Sequence, residues 1–335
     1  MTTDPAPLAP ASPPAAAPAV APTAAGLAAL GAAHGFARDA LSPATQRAYR
    51  ADWAHFEAWC AGAGFPALPA APEAVAAYLA DHARLLGRAA LRRRLAAIGG
   101  RHRMAGHAPP TGQAAVRATL RGLLRQTAAA PPRRAAALGT AELRRLVAAC
   151  PGDLAGLRDR ALLLLGYAAA LRRAELVAVE REHLVLEGGG LRLLIPRSKG
   201  DPEGEGAWVG LPRGTRRETC PVRALEAWLE ASGCRSGPVF RRIDCWGHVA
   251  RARLHPDAVR QILRRRAAAA GLSVPALERL SPHGLRAGFV TEAYKAGARD
   301  EEIMAHTRHR DLKTMRGYVR RAKLGPESPA RLLGL

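Results

Sequence analysis

The chain predicts a mainly α protein with a small β-sheet, built as a helical module followed by an α+β domain. Three observations carry this. Apolar residues recur at spacings of three and four through the first third of the chain. A Pro-Pro break with basic neighbours interrupts them at residues 131–134. Beyond it, short apolar runs alternate with glycine-rich turns before helical periodicity resumes. The 335 residues suffice for two domains of ordinary size. Hydrophobic residues make up 48% and aromatics only 4%, so Leu, Ala and Val must fill most of the core, and alanine at this level favours helix.

Residues 1–24 are almost entirely Ala, Pro and Thr, a composition that buries little side chain and is expected to be disordered. A helical pattern begins near Leu41, with Ser42 and Pro43 suited to an N-cap and first helical position. Tyr49, Trp53, Phe56 and Trp59 then form an aromatic stripe, most simply a core face, which the glycines at 62 and 64 end. Pro72-Glu73 opens a second helix carrying Val75, Tyr78 and Leu79. A third runs from about Arg88 with Leu91, Leu95 and Ile98 on one face and is expected to stop at Gly99-Gly100. A fourth starts near Thr111 with Val116, Leu120 and Leu124 facing in. These bound a four-helix domain over 38–127, and 128–137 reads as a linker.

The second domain, 138–335, opens with Thr140 as a plausible N-cap. Helices are expected at 140–150, 156–168 and 172–179, strands at His183–Leu186, Leu191–Ile195 and Ala207–Leu211, and helices again at 219–231, 256–270, 284–297, 300–306 and 312–320.

Net charge is +22, from 50 Lys+Arg against 28 Asp+Glu. Nearly all the cations are Arg, which reflects an Ala/Arg-rich composition, but the excess of positive charge suits a polyanion and makes nucleic acid the leading partner. The stretch R-A-A-L-R-R-R-L places Arg88, Arg92, Arg93 and Arg94 on the third helix, either as a solvated face or as phosphate and groove contacts. Five cysteines are scattered with no C-x-x-C pair, so neither a disulfide framework nor a zinc site is suggested and no cofactor is called for. No apolar run is long enough for a membrane span and no signal peptide is visible, which leads to a cytoplasmic, nucleoid-associated expectation.

One tyrosine stands among the right neighbours for chemistry. Tyr318 closes the segment T-R-H-R-D-L-K-T-M-R-G-Y, nine residues after His309; upstream lie S-P-H-G-L-R-A-G-F with His283 and Arg286, R-S-K-G-D with Lys199, and A-L-R-R-A-E-L with Arg172. Cleaving a phosphodiester by transesterification needs fixed cations where charge develops on the non-bridging oxygens, and arginine presents a permanently charged fork to phosphate. It also needs a nucleophile that stores the bond energy covalently, and a proton for the departing oxygen. A phenol ionises only near pH 10, so it needs a neighbouring base or a positive field.

Taken singly, each residue has a plain alternative: one more arginine on an Arg-rich helix, a turn lysine, a helix-start histidine, a core tyrosine like Tyr167. All six in this order and spacing resemble the tyrosine recombinase (phage integrase) family from Leu41 onward, and the stretch from Lys199 to Gly214 resembles a bacterial and mobile-element branch of it. The resemblance implies a SAM-like core-binding domain that grips DNA together with an α+β catalytic domain. It also implies site-specific cleavage and exchange of double-stranded DNA by a homo-tetramer, monomeric when free, without metal or nucleotide. It further implies that Arg172 and Arg286 clamp the phosphate, His309 donates to it, Lys199 protonates the leaving 5′-oxygen, His283 assists proton transfer, and Tyr318 attacks to form a 3′-phosphotyrosyl bond. The family commonly has Gly before the last histidine; here it is Arg308. His306, one turn earlier, is set aside because the nine-residue gap favours His309. The alternatives are a catalytically silent DNA-binding protein of the same fold and a strand-relaxing enzyme of the type IB topoisomerase kind. The C-terminal Leu332, Leu333 and Leu335 suit docking on a neighbouring protomer or on the chain's own domain.

Overall fold

The computed structural model describes residues 23–126, 134–198, 201, 204–275 and 278–322. The expected tail up to residue 22, most of the linker, Lys199 and the C-terminal tail beyond 322 lie outside the described residues. The chain divides into two compact units, Met1–Ala130 and Pro131–Leu335.

The first unit is helical: α1 (Ala24–Asp39), α2 (Pro43–Ala63), α3 (Pro72–His82), α4 (Arg88–Met104) and α5 (Ala114–Gln126). Helix α2 starts where the sequence suggests, with the Ser42 hydroxyl accepting from the Thr45 N–H and Pro43 in the first turn, and ends on Gly64 at φ 74°. Its aromatic stripe enters the core through Phe56, which packs with Val75, Tyr78, Leu79, Leu91, Ile98 and Val116. Two expectations need correction. Helix α1 was not anticipated, since an alanine-dominated stretch carries little periodic signal, although Thr23 caps it by accepting from the Gly26 N–H at 3.1 Å. And α4 does not stop at Gly99-Gly100 but runs on to Met104. A Cβ on Gly99 would lie 2.7 Å from Thr111 Oγ1, so this glycine serves close packing of α4 rather than a helix end.

The second unit comprises β1 (Arg134–Ala135), α6 (Thr140–Ala148), α7 (Leu154–Ala168), α8 (Arg173–Val177), β2 (Leu184–Glu187), β3 (Gly190–Ile195), β4 (Ala207–Pro212), α9 (Pro221–Ser232), β5 (Arg241–Ile243), β6 (Val249–Arg253), α10 (Pro256–Ala269), β7 (Glu278–Arg279), α11 (His283–Lys295), α12 (Asp300–Thr307) and α13 (Leu312–Ala322). Strands β2, β3 and β4 form an antiparallel meander with Leu184 opposite Leu193 and Leu193 opposite Val209. Two further pairs, the β5–β6 hairpin and the parallel β1–β7 pair, were not anticipated. The main core gathers α6, α7, α9 and α10 around Leu146, Leu162, Leu163, Trp228 and Leu263. Within it the fully buried Asp159 of α7 accepts from Arg158 at 2.7 Å and from Arg266 of α10 at 2.6 Å, so that the buried charge is paired on both sides. A separate small cluster, Val290, Ile303, Met315 and Val319, joins α11, α12 and α13. Among the described residues no helix is long and apolar enough to cross a membrane.

Candidate active site

The site is assembled from three segments of the second unit. The first is the turn after α7. Ala170 adopts φ 47°, which reverses the chain so that Leu171 N–H reaches Gly166 O at 3.0 Å and Arg172 falls immediately before α8 rather than inside a longer helix. Three residues on, Glu175 turns back: Oε2 accepts the Arg172 backbone N–H at 2.9 Å and Oε1 its Nη1 at 2.6 Å. Burial works to raise the Glu175 pKa, but the Arg172 backbone and side-chain donors and the charges of Arg172 and Arg308 outweigh it and hold the carboxyl below its ordinary value.

The second segment is the first turn of α11, which carries His283 and Arg286 one turn apart. This helix lies directly on the backbone of the chain leaving β1: a Cβ on Gly284 would sit 2.3 Å from Ala136 O, and one on Gly288 1.7 Å from Leu138 O. Leu138 N–H donates to Gly284 O at 3.0 Å across the same contact. Arg286 is 1% exposed. Its Nη1 donates to Ala170 O at 2.6 Å, while Nη2 is buried without a hydrogen-bond partner among the described residues. Burial, with the neighbouring Arg172 and Arg308, lowers its pKa to about 10, which leaves it cationic at neutral pH. An unmatched donor on a buried cation is costly, and an anion entering the pocket would supply the missing acceptor.

The third segment runs from the end of α12 into α13. Thr307 Oγ1 donates to Ile303 O at 2.6 Å and lies 2.6 Å from His309 Nδ1, a pattern that assigns the Nδ1–H tautomer to His309. Burial, then Arg286, Arg172, His283 and Arg308, lower the His309 pKa to about 4, so the ring is neutral near pH 7. Arg308 occupies the left-handed region at φ 58°, a conformation that costs a non-glycine residue about 1–2 kcal/mol. Asp311 accepts from the Lys313 and Thr314 backbone N–H groups, each at 3.0 Å, and starts α13. Met315 and Val319 bury on one side of that helix and leave Tyr318 at the edge of the cluster. The phenol oxygen then lies 2.6 Å from His283 Nε2, and the Tyr318 ring centroid 5.9 Å from that of His309.

Five of the six residues expected from sequence therefore converge: Arg172, His283, Arg286, His309 and Tyr318. Lys199 lies outside the described residues; before and after it, Ser198 bridges to Asp201. The Asp201 carboxylate accepts from the Gly206, Gly204 and Glu205 N–H groups. These donors, that of Gly206 first, and the charge of Arg310 hold Asp201 below its ordinary pKa. His306 is occupied elsewhere, with Nε2 2.7 Å from Ala168 O and its ring stacked on Phe289. Sequence reasoning missed Glu175 and Thr307. The first had a signal, a glutamate three residues after a helix-opening position; the second had none.

On α4, Arg93 grips the buried Asp52 at 2.6 and 3.0 Å, Arg94 turns inward to Tyr78 and His55, and Arg88 donates to Leu124 O at 3.1 Å. Arg92 is exposed.

Residues 137–324 match the phage integrase family. The chain is 33% identical over 286 residues to an integrase/recombinase XerD homolog of Selenomonas ruminantium, spanning 84% of this chain and 82% of that protein. It is 36% identical over 186 residues to the tyrosine recombinase XerD of Xanthomonas axonopodis pv. citri, there spanning 55% and 57%. Among solved structures it resembles a lambda integrase dimer bound to a COC′ core site, with TM-score 0.58, 17% identity and coverage of 83% and 89% of the two chains. It also resembles the XerH site-specific recombinase bound to palindromic difH substrate, with TM-score 0.56, 17% identity and coverage of 79% and 73%. At those identities the structural likeness is one of fold. The extent of the family match and the identity to the Selenomonas protein make the chain a member of the phage integrase family of tyrosine recombinases.

Proposed function

We propose that the chain breaks and rejoins double-stranded DNA at specific sites through Tyr318. The observation that carries the reading is the 2.6 Å contact between His283 Nε2 and the phenol oxygen, made beside the two arginines of the pocket. Tyr318 Oη attacks the phosphorus and gives its proton to His283. Arg172 and Arg286 hold the non-bridging oxygens, the unmatched Nη2 of Arg286 being the donor that gains a partner. His309 completes the contacts to the phosphate. The P–O5′ bond breaks, Lys199 protonates the departing oxygen, and the DNA 3′ end stays on the tyrosine until a 5′-hydroxyl of a partner strand reverses the steps. Because the phosphoester bond is exchanged rather than hydrolysed, no nucleotide cofactor enters the balance.

The assembly that fits this chemistry is a homo-tetramer on two DNA sites, formed from free monomers and acting at the nucleoid. In the first unit, of the four arginines Arg88, Arg92, Arg93 and Arg94 on α4, Arg92 and the outer part of Arg93 are left to meet phosphate.

The test is adduct capture: the full chain is incubated with a pool of nicked duplexes of randomised sequence, and denaturant-resistant protein–DNA species are sequenced. Wild type should yield adducts sharing a sequence, and Tyr318→Phe none. Adducts on Tyr318→Phe would reject the nucleophile. Relaxation of supercoils without exchange between two recovered sites would reject recombination in favour of strand swivelling.

A further inference from the structure

We propose that Arg308 is a positioning residue of this pocket, one that engages Glu175 and the Ala169–Ala170 turn so that Arg172 keeps its charge available to an oxyanion. The inference rests on the reading of the pocket as a phosphodiester site.

Among the described residues only two non-glycines have positive φ, Ala170 at 47° and Arg308 at 58°, and they meet. The Arg308 guanidinium is almost wholly buried. Its Nη1 donates to His306 O at 2.9 Å and to Ala169 O at 3.4 Å; its Nη2 reaches Ala169 O at 3.4 Å, Ala170 O at 3.5 Å and Glu175 Oε2 at 3.2 Å. Ala170 O is also the acceptor of Arg286 Nη1, and Glu175 is the partner of Arg172. One side chain thus touches the anchors of both phosphate-facing arginines.

Glu175 facing Arg172 alone makes a neutral pair, so the phosphate-free pocket would carry only the charge of Arg286, His309 being neutral there. With Arg308 on the same carboxylate, three guanidinium groups face one carboxylate and the pocket carries a net charge of about +2. A phosphodiester brings one negative charge and gains more as the nucleophile attacks, so the second unit of positive charge acts where it is needed. The left-handed backbone that a glycine would adopt without strain is, on this account, occupied by arginine for its side chain.

Arg308→Gly is the cleanest probe, because glycine suits φ 58° and removes only the side chain. Uniformly labelled full-length protein is titrated with inorganic phosphate and the His309 ring resonances, assigned through His309→Gln, are followed. Wild type should bind. Arg308→Gly should weaken binding about fivefold or more, and adding Glu175→Gln to that variant should recover most of the loss, because the uncompensated carboxylate is then gone. Loss through misfolding would not be recovered by a second substitution. Unchanged affinity in Arg308→Gly, or a loss that Glu175→Gln leaves untouched, would overturn the inference alone. A wild-type protein whose His309 ignores phosphate would overturn the oxyanion pocket, and this inference with it.

Discussion

His283 and Tyr318, 35 residues apart in the chain, meet ring edge to hydroxyl, with Nε2 and the phenol oxygen 2.6 Å apart. Nothing local imposes this. The histidine stands on the first turn of a helix seated on backbone, and the tyrosine on a helix held by Met315 and Val319. The contact is a result of packing, and in the proposed mechanism it is what puts a proton acceptor beside the phenol. Replacing His283 with Ala should slow adduct formation by about 10²–10⁴-fold while DNA binding persists, the range general-base groups contribute. An adduct rate within a factor of two of wild type would remove His283 from the proton path.

Arg172→Lys should behave nearly as badly as Arg172→Ala. The guanidinium bonds Glu175 at 2.6 Å from one end and must present further donors to phosphate, which a single ammonium group cannot do. A loss of about 10²–10³-fold in cleavage is expected for either variant, read from single-turnover kinetics on a nicked duplex. Full activity in the lysine variant would show that charge alone suffices.

The His309 pKa of about 4 makes binding proton-linked. With Nδ1–H committed to Thr307, the neutral ring offers Nε2 as an acceptor, which a phosphate cannot use. An oxyanion nearby favours the protonated ring, so binding near pH 7 should take up a proton, and affinity should fall as pH rises through the bound-state pKa. Calorimetry in two buffers of different ionisation enthalpy counts that proton; zero uptake in both, or the same uptake in His309→Gln, would refute the assignment. In the free protein the sign for stability is the reverse of a stabilised cation. The folded state binds fewer protons than the unfolded chain between the ordinary value of 6.5 and about 4, so stability should drop as pH is lowered through that window.

Gly288→Ala should damage fold and chemistry together. The new methyl would lie 1.7 Å from Leu138 O, a backbone atom that cannot rotate away. A loss of about 3 kcal/mol or more is expected from the forced shift, equivalent to a melting temperature lower by roughly 6–12 °C. Because the displaced helix carries His283 and Arg286, cleavage at permissive temperature should fall as well. A thermally wild-type variant would mean that the helix does not ride on the Leu138 backbone.

DNA binding should weaken steeply with salt. The net charge of +22 implies several neutralised phosphates, and a loss of about a thousandfold between roughly 50 and 200 mM salt is the expected scale. A flat response in gel shifts would count against a basic clamp.

Periodicity exposed the helices with clear stripes or caps. Ser42-Pro43 announced α2, and the short apolar run from Leu191 to Ile195 among glycine-rich turns announced β3. It failed at α1, where alanine gives no face, and at Gly99, where packing against Thr111 outweighed the usual helix-ending meaning of paired glycines. The order of Arg172, His283, Arg286, His309 and Tyr318 along the chain was readable; the side-chain links among them were not. Glu175 joins Arg172 through a local capping geometry, but its bond to Arg308 spans 133 residues and depends on a left-handed turn that arginine composition does not signal.

The cluster beneath α13 has a consequence for how the enzyme could be switched. Val290, Ile303, Met315 and Val319 share no residue with the main core around α7 and α9. Opening that cluster would withdraw the nucleophile while leaving Arg172 and Arg286 seated, so catalytic readiness has its own free energy, smaller than that of global unfolding. Amide protons of α13 should therefore exchange through a low-energy opening that those of α7 do not share, and a partner that grips α13 could turn strand cleavage on or off without disturbing the rest of the domain.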